Sequence, residues 1–550
     1  MTDVAPSGEM QRSLTLTGIT VNAMALIAPG AFLWTTFQIQ ASQKGGTTAT
    51  DMWTGLLCAL ILALLTAYSY SELARIYPDA GTGSSYYFAE AALLDHESER
   101  MQGFARFAKL TIGWISHLYY WLYPAIMVGF MGILFGYIYQ TVFHHTLTYI
   151  PQAAGCVALG LLCGYIAFRG ISGSTMTSIL INVIQITCLT LVGILFIAYR
   201  LGHGHELYAF ANAGQVIIPH SFIHVIYQST IAILLLVGFE SVTALGAEAL
   251  RPERDIKKGI LLSLIIQGGL CYLFEYFATN FAVSQTTTAS AFTPATCTPA
   301  LVRAGTSCLA NGVDPLKGFT SAGLNPAPVG SMLNNVANAS LGHSGFTVSL
   351  IVAATVLIAL LGTTLACLNT GVRVTYAMAK DKEMPGILGL LHGRFATPHG
   401  GIFVLTAVSL VIGVYCATPY NVDNITQITL ASNTGTFLVY GMTCVVAFVA
   451  FASRHDRHWG KHMAIPGLGA LMNLSMLFGV VYLAVTAGGT SSKDAYKALA
   501  IVVLWIVAGA IWVALNPNKH HAKKVHQERG LTSRTASKKA SEPSAPPVSV

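Results

Sequence analysis

The residue in this sequence best placed to do chemistry is Glu240, which follows the apolar run Leu234-Leu235-Leu236-Val237 and sits two positions after Gly238. A carboxyl at membrane depth is costly to bury, so an ionisable residue there marks a functional site until shown otherwise. Gly238 permits torsions that other residues avoid, and the side chains of Glu240 and Ser241 can satisfy the peptide groups that a loosened turn frees. Val237-Gly238-Phe239-Glu240-Ser241 therefore predicts an interrupted helix. The charged run that follows, Glu248 to Lys258, predicts a cytoplasmic anchor. A second interruption is written near the start, at Ala28-Pro29-Gly30-Ala31, where Pro29 removes a backbone donor and clashes with the preceding turn while Gly30 relaxes the chain. A membrane helix breaks only where protein or a water-filled cavity satisfies the freed backbone.

Further polar residues lie in apolar surroundings. His117, Tyr119, Tyr120, Trp121 and Tyr123 precede Pro124. Packing explains an aromatic stripe as readily as binding does, but a membrane-embedded His117 is a candidate for proton coupling. Asn182 and Gln185 are neutral and expected to be satisfied across a helix interface. Glu275 is expected to face an aqueous vestibule. Ser432, Asn433 and Thr434 form an interior polar cluster, Glu72 and Arg75 an interfacial i,i+3 pair, and residues 94–109 a charged surface segment.

The elements that must carry these residues follow from composition. Of 550 residues 53% are hydrophobic and 10% charged, against roughly 25% charged in a soluble domain. Apolar runs long enough to cross a bilayer recur with centres near residues 29, 64, 125, 160, 188, 235, 270, 360, 407, 440, 475 and 505, which predicts an all-α polytopic membrane protein with 12 transmembrane helices, here called spans 1 to 12. With a cytoplasmic N-terminus, six of the 30 Lys and Arg (Lys44, Arg200, Arg303, Lys317, Lys493 and Lys497) fall outside, and the positive-inside rule then places both termini in the cytoplasm. That asymmetry accounts for the net charge of +7 without nucleic-acid binding. No cofactor or metal pattern is present. Eight cysteines sit singly in apolar runs, and Cys297 and Cys308, in the polar loop 284–345, suit a disulfide if that face is oxidising.

Spans 1 and 6 each open a block of five helices, and each carries an interruption near its middle. Five is odd, so the two blocks have opposite orientation, the inverted-repeat pattern of secondary transporters, in which paired interruptions mark the substrate site. The expected organisation is a tail (1–13), a first repeat (14–200), a second repeat with its loop (201–455), two peripheral helices (456–515) and a basic tail (516–550).

The motifs Ala28 to Ala31, Glu72 to Gly83, Arg169-Gly170, Gly238 to Ser241 with Glu248 to Ile256, and Asn369 to Pro385 together resemble the amino acid-polyamine-organocation transporter superfamily, over roughly residues 14–455. The resemblance is to its bacterial amino acid permeases. It implies a LeuT-like fold, a 5+5 inverted repeat plus two peripheral helices, and alternating access around a central site in the cytoplasmic membrane. The family's span 1 often breaks at a Gly-Ser-Gly-like sequence where this chain has Ala-Pro-Gly, and some proton-coupled relatives carry Lys where Gln185 stands. Exchange, proton coupling and sodium coupling all remain open on the sequence.

Backbone N–H groups at the two breaks suit a substrate carboxylate and the freed carbonyls suit its ammonium group. The expected substrate-binding residues are Ala28, Pro29, Gly30, Ala31, Val237, Gly238, Phe239, Glu240 and Ser241. Trp34, His117, Tyr120, Gln185 and Glu240 are the gating or coupling candidates. The substrate class is an amino acid, or alternatively a polyamine, amine or other small organic cation. An ion channel would need a continuous polar pathway, and a membrane enzyme a catalytic constellation that does not recur at suitable spacing.

Overall fold

The computed structural model describes residues 14–515 apart from 28, 78–83, 95–98, 171–174, 205–207, 209, 211–212, 247–248, 284–327, 343, 394, 396, 419–421, 453 and 456. Cys297 and Cys308, and both terminal tails, lie outside the described residues. Among those described, eleven helical segments are long and apolar enough to cross a membrane, and span 1 adds a crossing in two pieces.

Span 1 divides into α1 (Leu16–Leu26) and α2 (Pro29–Ser42). Pro29 is the first residue of α2, where its missing N–H costs nothing and its fixed φ suits a helix start. Span 2 is α3 (Met52–Ile76), followed by the short α4 (Ser85–Leu94). Spans 3, 4 and 5 are α5 (Glu99–Phe143), α6 (Tyr149–Arg169) and α7 (Thr175–Gly202). After the short α8 (Ala213–Ile217), span 6 begins as α9 (Phe222–Ala232), tightens into a 3₁₀ turn at Ile233–Leu235 and resumes as 3₁₀ helix at Phe239–Leu245. The α-helix thus stops five residues before Val237, where the sequence placed the start of the break. Span 7 is α10 (Pro252–Phe277).

The polar loop contains α11 (Pro328–Ser340). Val329, Met332, Leu333 and Val336 recur at helical spacing and are buried, so this end of the loop belongs to the packed bundle. Spans 8 to 12 are α12 (Gly345–Lys380), α13 (His399–Cys416), α14 (Asp423–Ala452), α15 (Ile465–Thr486) and α16 (Gly489–Leu515).

Span 12 docks on span 3 through a reciprocal pair. The Trp114 indole N–H donates to the Trp505 carbonyl (2.7 Å), and the Trp505 indole N–H donates to the Trp114 carbonyl (2.9 Å). Its other face exposes Val503, Leu504 and Ile511, as a peripheral helix facing lipid would.

Two polar clusters fasten one end of the bundle. Glu72 accepts from Arg75 Nε (2.8 Å) and from Lys257 Nζ of α10 (2.5 Å), with His462 Nε2 at 3.6 Å. The expected i,i+3 pair is therefore the centre of a junction between three elements. Lys109 corrects the reading of residues 94–109 as a surface segment. It is buried on α5, with its ammonium 2.7 Å from Glu90 of α4 and 2.8 Å from Asp381 beyond α12, and the Tyr86 hydroxyl also donates to Asp381 (3.0 Å). Covering by α4 and α12 makes the difference, which local sequence does not report.

Candidate functional site

The two interruptions meet. Gly238 adopts φ +128°, a left-handed torsion that favours glycine, and a Cβ built there would lie 2.5 Å from the Leu26 Cβ and 3.4 Å from the Ile27 nitrogen at the end of α1. Glycine is required at this point by conformation and by space together. Free peptide groups at the α1 end are partly met by neighbours. The Thr363 hydroxyl of α12 donates to the Ala25 carbonyl (2.9 Å), and the Ile27 N–H returns to the Ala23 carbonyl (3.2 Å).

At the span 6 break Glu240 is fully buried. Its Oε2 accepts from the Gly238 N–H (3.0 Å) and from the Tyr440 hydroxyl of α14 (2.6 Å), while the Tyr119 and Tyr120 hydroxyls of α5 lie 3.4 and 3.5 Å from its Oε1. No ion pair to Glu240 is formed among the described residues, so neutral donors do all the compensating. The carbonyls freed at the break are met in the same way: the Tyr123 hydroxyl donates to the Leu234 carbonyl (3.1 Å), and the Asn433 amide donates to the Thr230 carbonyl (2.7 Å). The Ser241 and Thr243 hydroxyls donate to the Gly238 and Glu240 carbonyls, each at 2.6 Å. Phe239 is buried between Tyr440 (ring centroids 5.2 Å apart) and Tyr70 of α3 (6.0 Å, edge-on).

This arrangement presents peptide dipoles, one buried carboxylate and an aromatic enclosure of Tyr70, Tyr119, Tyr120, Tyr440 and Phe239. It can bind a small molecule that carries both charges, or a cation.

The comparison with known families settles the class. The sequence matches the amino acid permease family model over residues 18–526. The chain belongs to that family. It is a multi-pass membrane transporter, and its interrupted spans 1 and 6 are those of the family's LeuT-like fold. The permease is 23% identical over 525 residues to the branched-chain amino acid permease BcaP of Bacillus subtilis, covering 92% of each chain. It is 28% identical over 274 residues to the low-affinity putrescine importer PlaP of Escherichia coli, covering 49% of this chain and 54% of that one. A second BcaP, from Lactococcus lactis, is 25% identical over 382 residues, covering 65% of this chain and 67% of its own.

Of the residues expected at the permease's site, Val237, Gly238, Phe239, Glu240, Ser241 and Tyr120 lie together at the span 6 break. Pro29, Gly30, Ala31 and Trp34 lie in the first turns of α2, and Ala28 falls outside the described residues. His117 stands apart from Glu240, with its Nδ1–H donating to the Gly113 carbonyl (2.7 Å) and its Nε2 3.0 Å from the Thr375 hydroxyl. Gln185 is buried on α7 with neither amide atom hydrogen-bonded among the described residues, contrary to its expected satisfaction, whereas Asn182 does bridge helices by accepting from Gln267 (2.5 Å).

Glu275 is also corrected: it does not face a vestibule but is fully buried, accepting from the Gln40 amide of α2 (2.9 Å). Sequence reasoning passed over Tyr70, Tyr440 and the site-facing role of Tyr119. The i,i+4 spacing of Tyr119 and Tyr123 was the one signal available.

Proposed function

We propose that this permease is a secondary active transporter that moves amino acids across the cytoplasmic membrane by alternating access, as a permease or an exchanger, with substrate held at the facing breaks of spans 1 and 6. The observation that carries this reading is the contact of Gly238 with Leu26 and Ile27, which puts two sets of helix-end peptide groups side by side. Helix N-termini favour a carboxylate and freed carbonyls favour an ammonium group. Similarity to the branched-chain amino acid permeases over most of the chain supports the substrate class.

Glu240 acts as the modulator. Its Oε2 takes up the Gly238 N–H, so a substrate carboxylate competes with Glu240 for that donor, and protonation of Glu240 weakens its hold. In this scheme residues 14–200 and 201–455 are the inverted repeats, residues 456–515 support them, and both termini are cytoplasmic. H+ or Na+ supplies coupling where transport is uphill.

A second reading, transport of amines or polyamines, is favoured by one feature: a carboxylate enclosed by aromatic rings without a cationic partner suits an organic cation. Similarity to the putrescine importer points the same way. A panel of amino acids and amines screened for thermal stabilisation of the purified permease separates the two, because a ligand that binds the folded state raises its apparent stability. The expected result is stabilisation by apolar amino acids. Stabilisation by diamines alone would favour the second reading, and silence across the panel would remove both.

A further inference from the structure

A second buried carboxyl, away from Glu240, remains unused by this scheme. Glu275 on α10 is fully buried and, among the described residues, forms no ion pair. Its Oε1 accepts from the Gln40 Nε2 (2.9 Å), and its Oε2 is buried with no hydrogen-bond partner among the described residues. The Oε1 of Gln40 is equally buried and equally unpartnered. Two acceptors are thus left over, one on each side of a single amide–carboxyl contact, and no donor. Turning the Gln40 amide over would not repair this, because its oxygen would then face Glu275 Oε1. Gln40 is itself held from span 6: the Gln228 Nε2 donates both to the Gln40 carbonyl (2.9 Å) and to the Thr48 hydroxyl (2.9 Å). Glu275 is thereby linked to the second half of span 1 directly and to the first half of span 6 through one intermediate.

The titratable groups on the elements packed around it leave the carboxyl without a counter-charge. Cys271 stands one turn earlier on α10, and among its described side chains α2 offers the polar groups of Thr36, Ser42 and the glutamines. Just before α3, Asp51 accepts from the His220 N–H (2.8 Å), with His224 Nδ1 at 3.5 Å, and α3 itself carries Cys58. From α7, Arg200 is engaged by Asn280 and by the Phe210 carbonyl, under the Tyr208 ring. An isolated carboxylate buried with one neutral donor is strongly disfavoured, whereas a proton on Oε2 removes the charge and supplies the missing donor.

We propose that Glu275 is a proton-binding site, separate from Glu240, whose protonated carboxyl donates from Oε2 to Gln40 Oε1 and so closes a two-bond acid–amide ring fastening α2 to α10. Losing the proton to the aqueous face that is open puts two acceptors against each other and frees α2 to move. This deepens the transport reading by naming H+ as the coupling ion, and rests on it for that role alone; the protonation state itself does not depend on substrate.

Two measurements on the full chain test it. Infrared difference spectra of purified wild type minus Glu275→Gln should show a protonated-carboxyl stretching band near neutral pH that shifts in heavy water. In Gln40→Leu the band should move to higher frequency as the hydrogen bond is lost. Absence of the band, or a band indifferent to Gln40→Leu, overturns the proposal even if Glu275→Gln does not fold, since wild type and Gln40→Leu can be titrated alone. In proteoliposomes loaded with leucine, or with putrescine for the amine arm, Glu275→Gln should retain counterflow while the pH dependence of net uptake is lost, because its amide mimics the neutral acid. A pH profile identical to wild type, or a sodium requirement that disappears with the substitution, overturns the assignment of H+. If wild type moves neither compound, the transport reading fails while the infrared result still decides the protonation state.

Discussion

Glu240 was legible as an anomaly, and its surroundings make it a structural part of the break. Its shortest contact is the Tyr440 hydroxyl at 2.6 Å, from a residue 200 positions away. A hydrogen bond contributes roughly 0.5 to 1.5 kcal/mol, and about 1 to 3 kcal/mol is lost if the acceptor stays buried without its donor. Tyr440→Phe should therefore lower the thermal midpoint of the purified permease and weaken the best stabilising ligand of the panel about tenfold, since 1.4 kcal/mol is a factor of ten. A titration showing unchanged affinity in Tyr440→Phe would mean that the tyrosine packs Phe239 without tuning the site. Tyr119 and Tyr120 lie at longer range from Glu240, so their phenylalanine variants should have smaller effects in the same assay.

At the scale of elements, the two breaks have different causes. Span 1 breaks because Pro29 cannot donate to a preceding turn and so starts a new helix, a local rule readable from one residue. Span 6 breaks at Gly238, where a positive φ coincides with Leu26 Cβ at 2.5 Å from a would-be side chain. The α-helix has already tightened to 3₁₀ at Ile233, where Tyr123 and Asn433 from other helices take the carbonyls that the helix gives up. Gly238→Ala adds both a strained torsion, about 1 to 2 kcal/mol, and an overlap whose relief costs about 1 to 3 kcal/mol. Uptake in proteoliposomes should fall by at least about tenfold with the protein still folded in detergent. Wild-type uptake in Gly238→Ala would show that the contact with α1 is dispensable. A matching substitution at Gly269, where an added Cβ meets nothing within 4 Å, should be silent.

At the scale of the whole molecule, the Glu90–Lys109–Asp381 cluster ties α4, α5 and the end of α12 together, away from the breaks. Removing one member of a buried ion group leaves uncompensated charge and typically costs about 3 to 5 kcal/mol. Lys109→Met should thus destabilise the permease markedly in a thermal unfolding assay, and adding Asp381→Asn should restore part of the loss. Additive destabilisation in the double variant would show that the two residues do not interact. The docking of span 12 through Trp114 and Trp505 is a separate attachment, and its loss should spare ligand binding.

The residues themselves determined the membrane class, the twelve spans, the interruptions at Pro29 and Gly238, and the resemblance to amino acid permeases, because apolar length and glycine or proline placement act locally. Tertiary structure alone decided which polar groups meet. The tyrosines around Glu240 come from α5 and α14, the donor to Glu275 comes from α2 although a vestibule was expected there, and Lys109 is buried where a charged run suggested a surface. Each of these depends on a partner tens to hundreds of residues away, and the low-dielectric interior makes such pairings decisive. The feature common to both levels is the glycine at 238: sequence marked it as a weak point in a helix, and the positive φ together with the approach of Leu26 explains why a side chain there is strained.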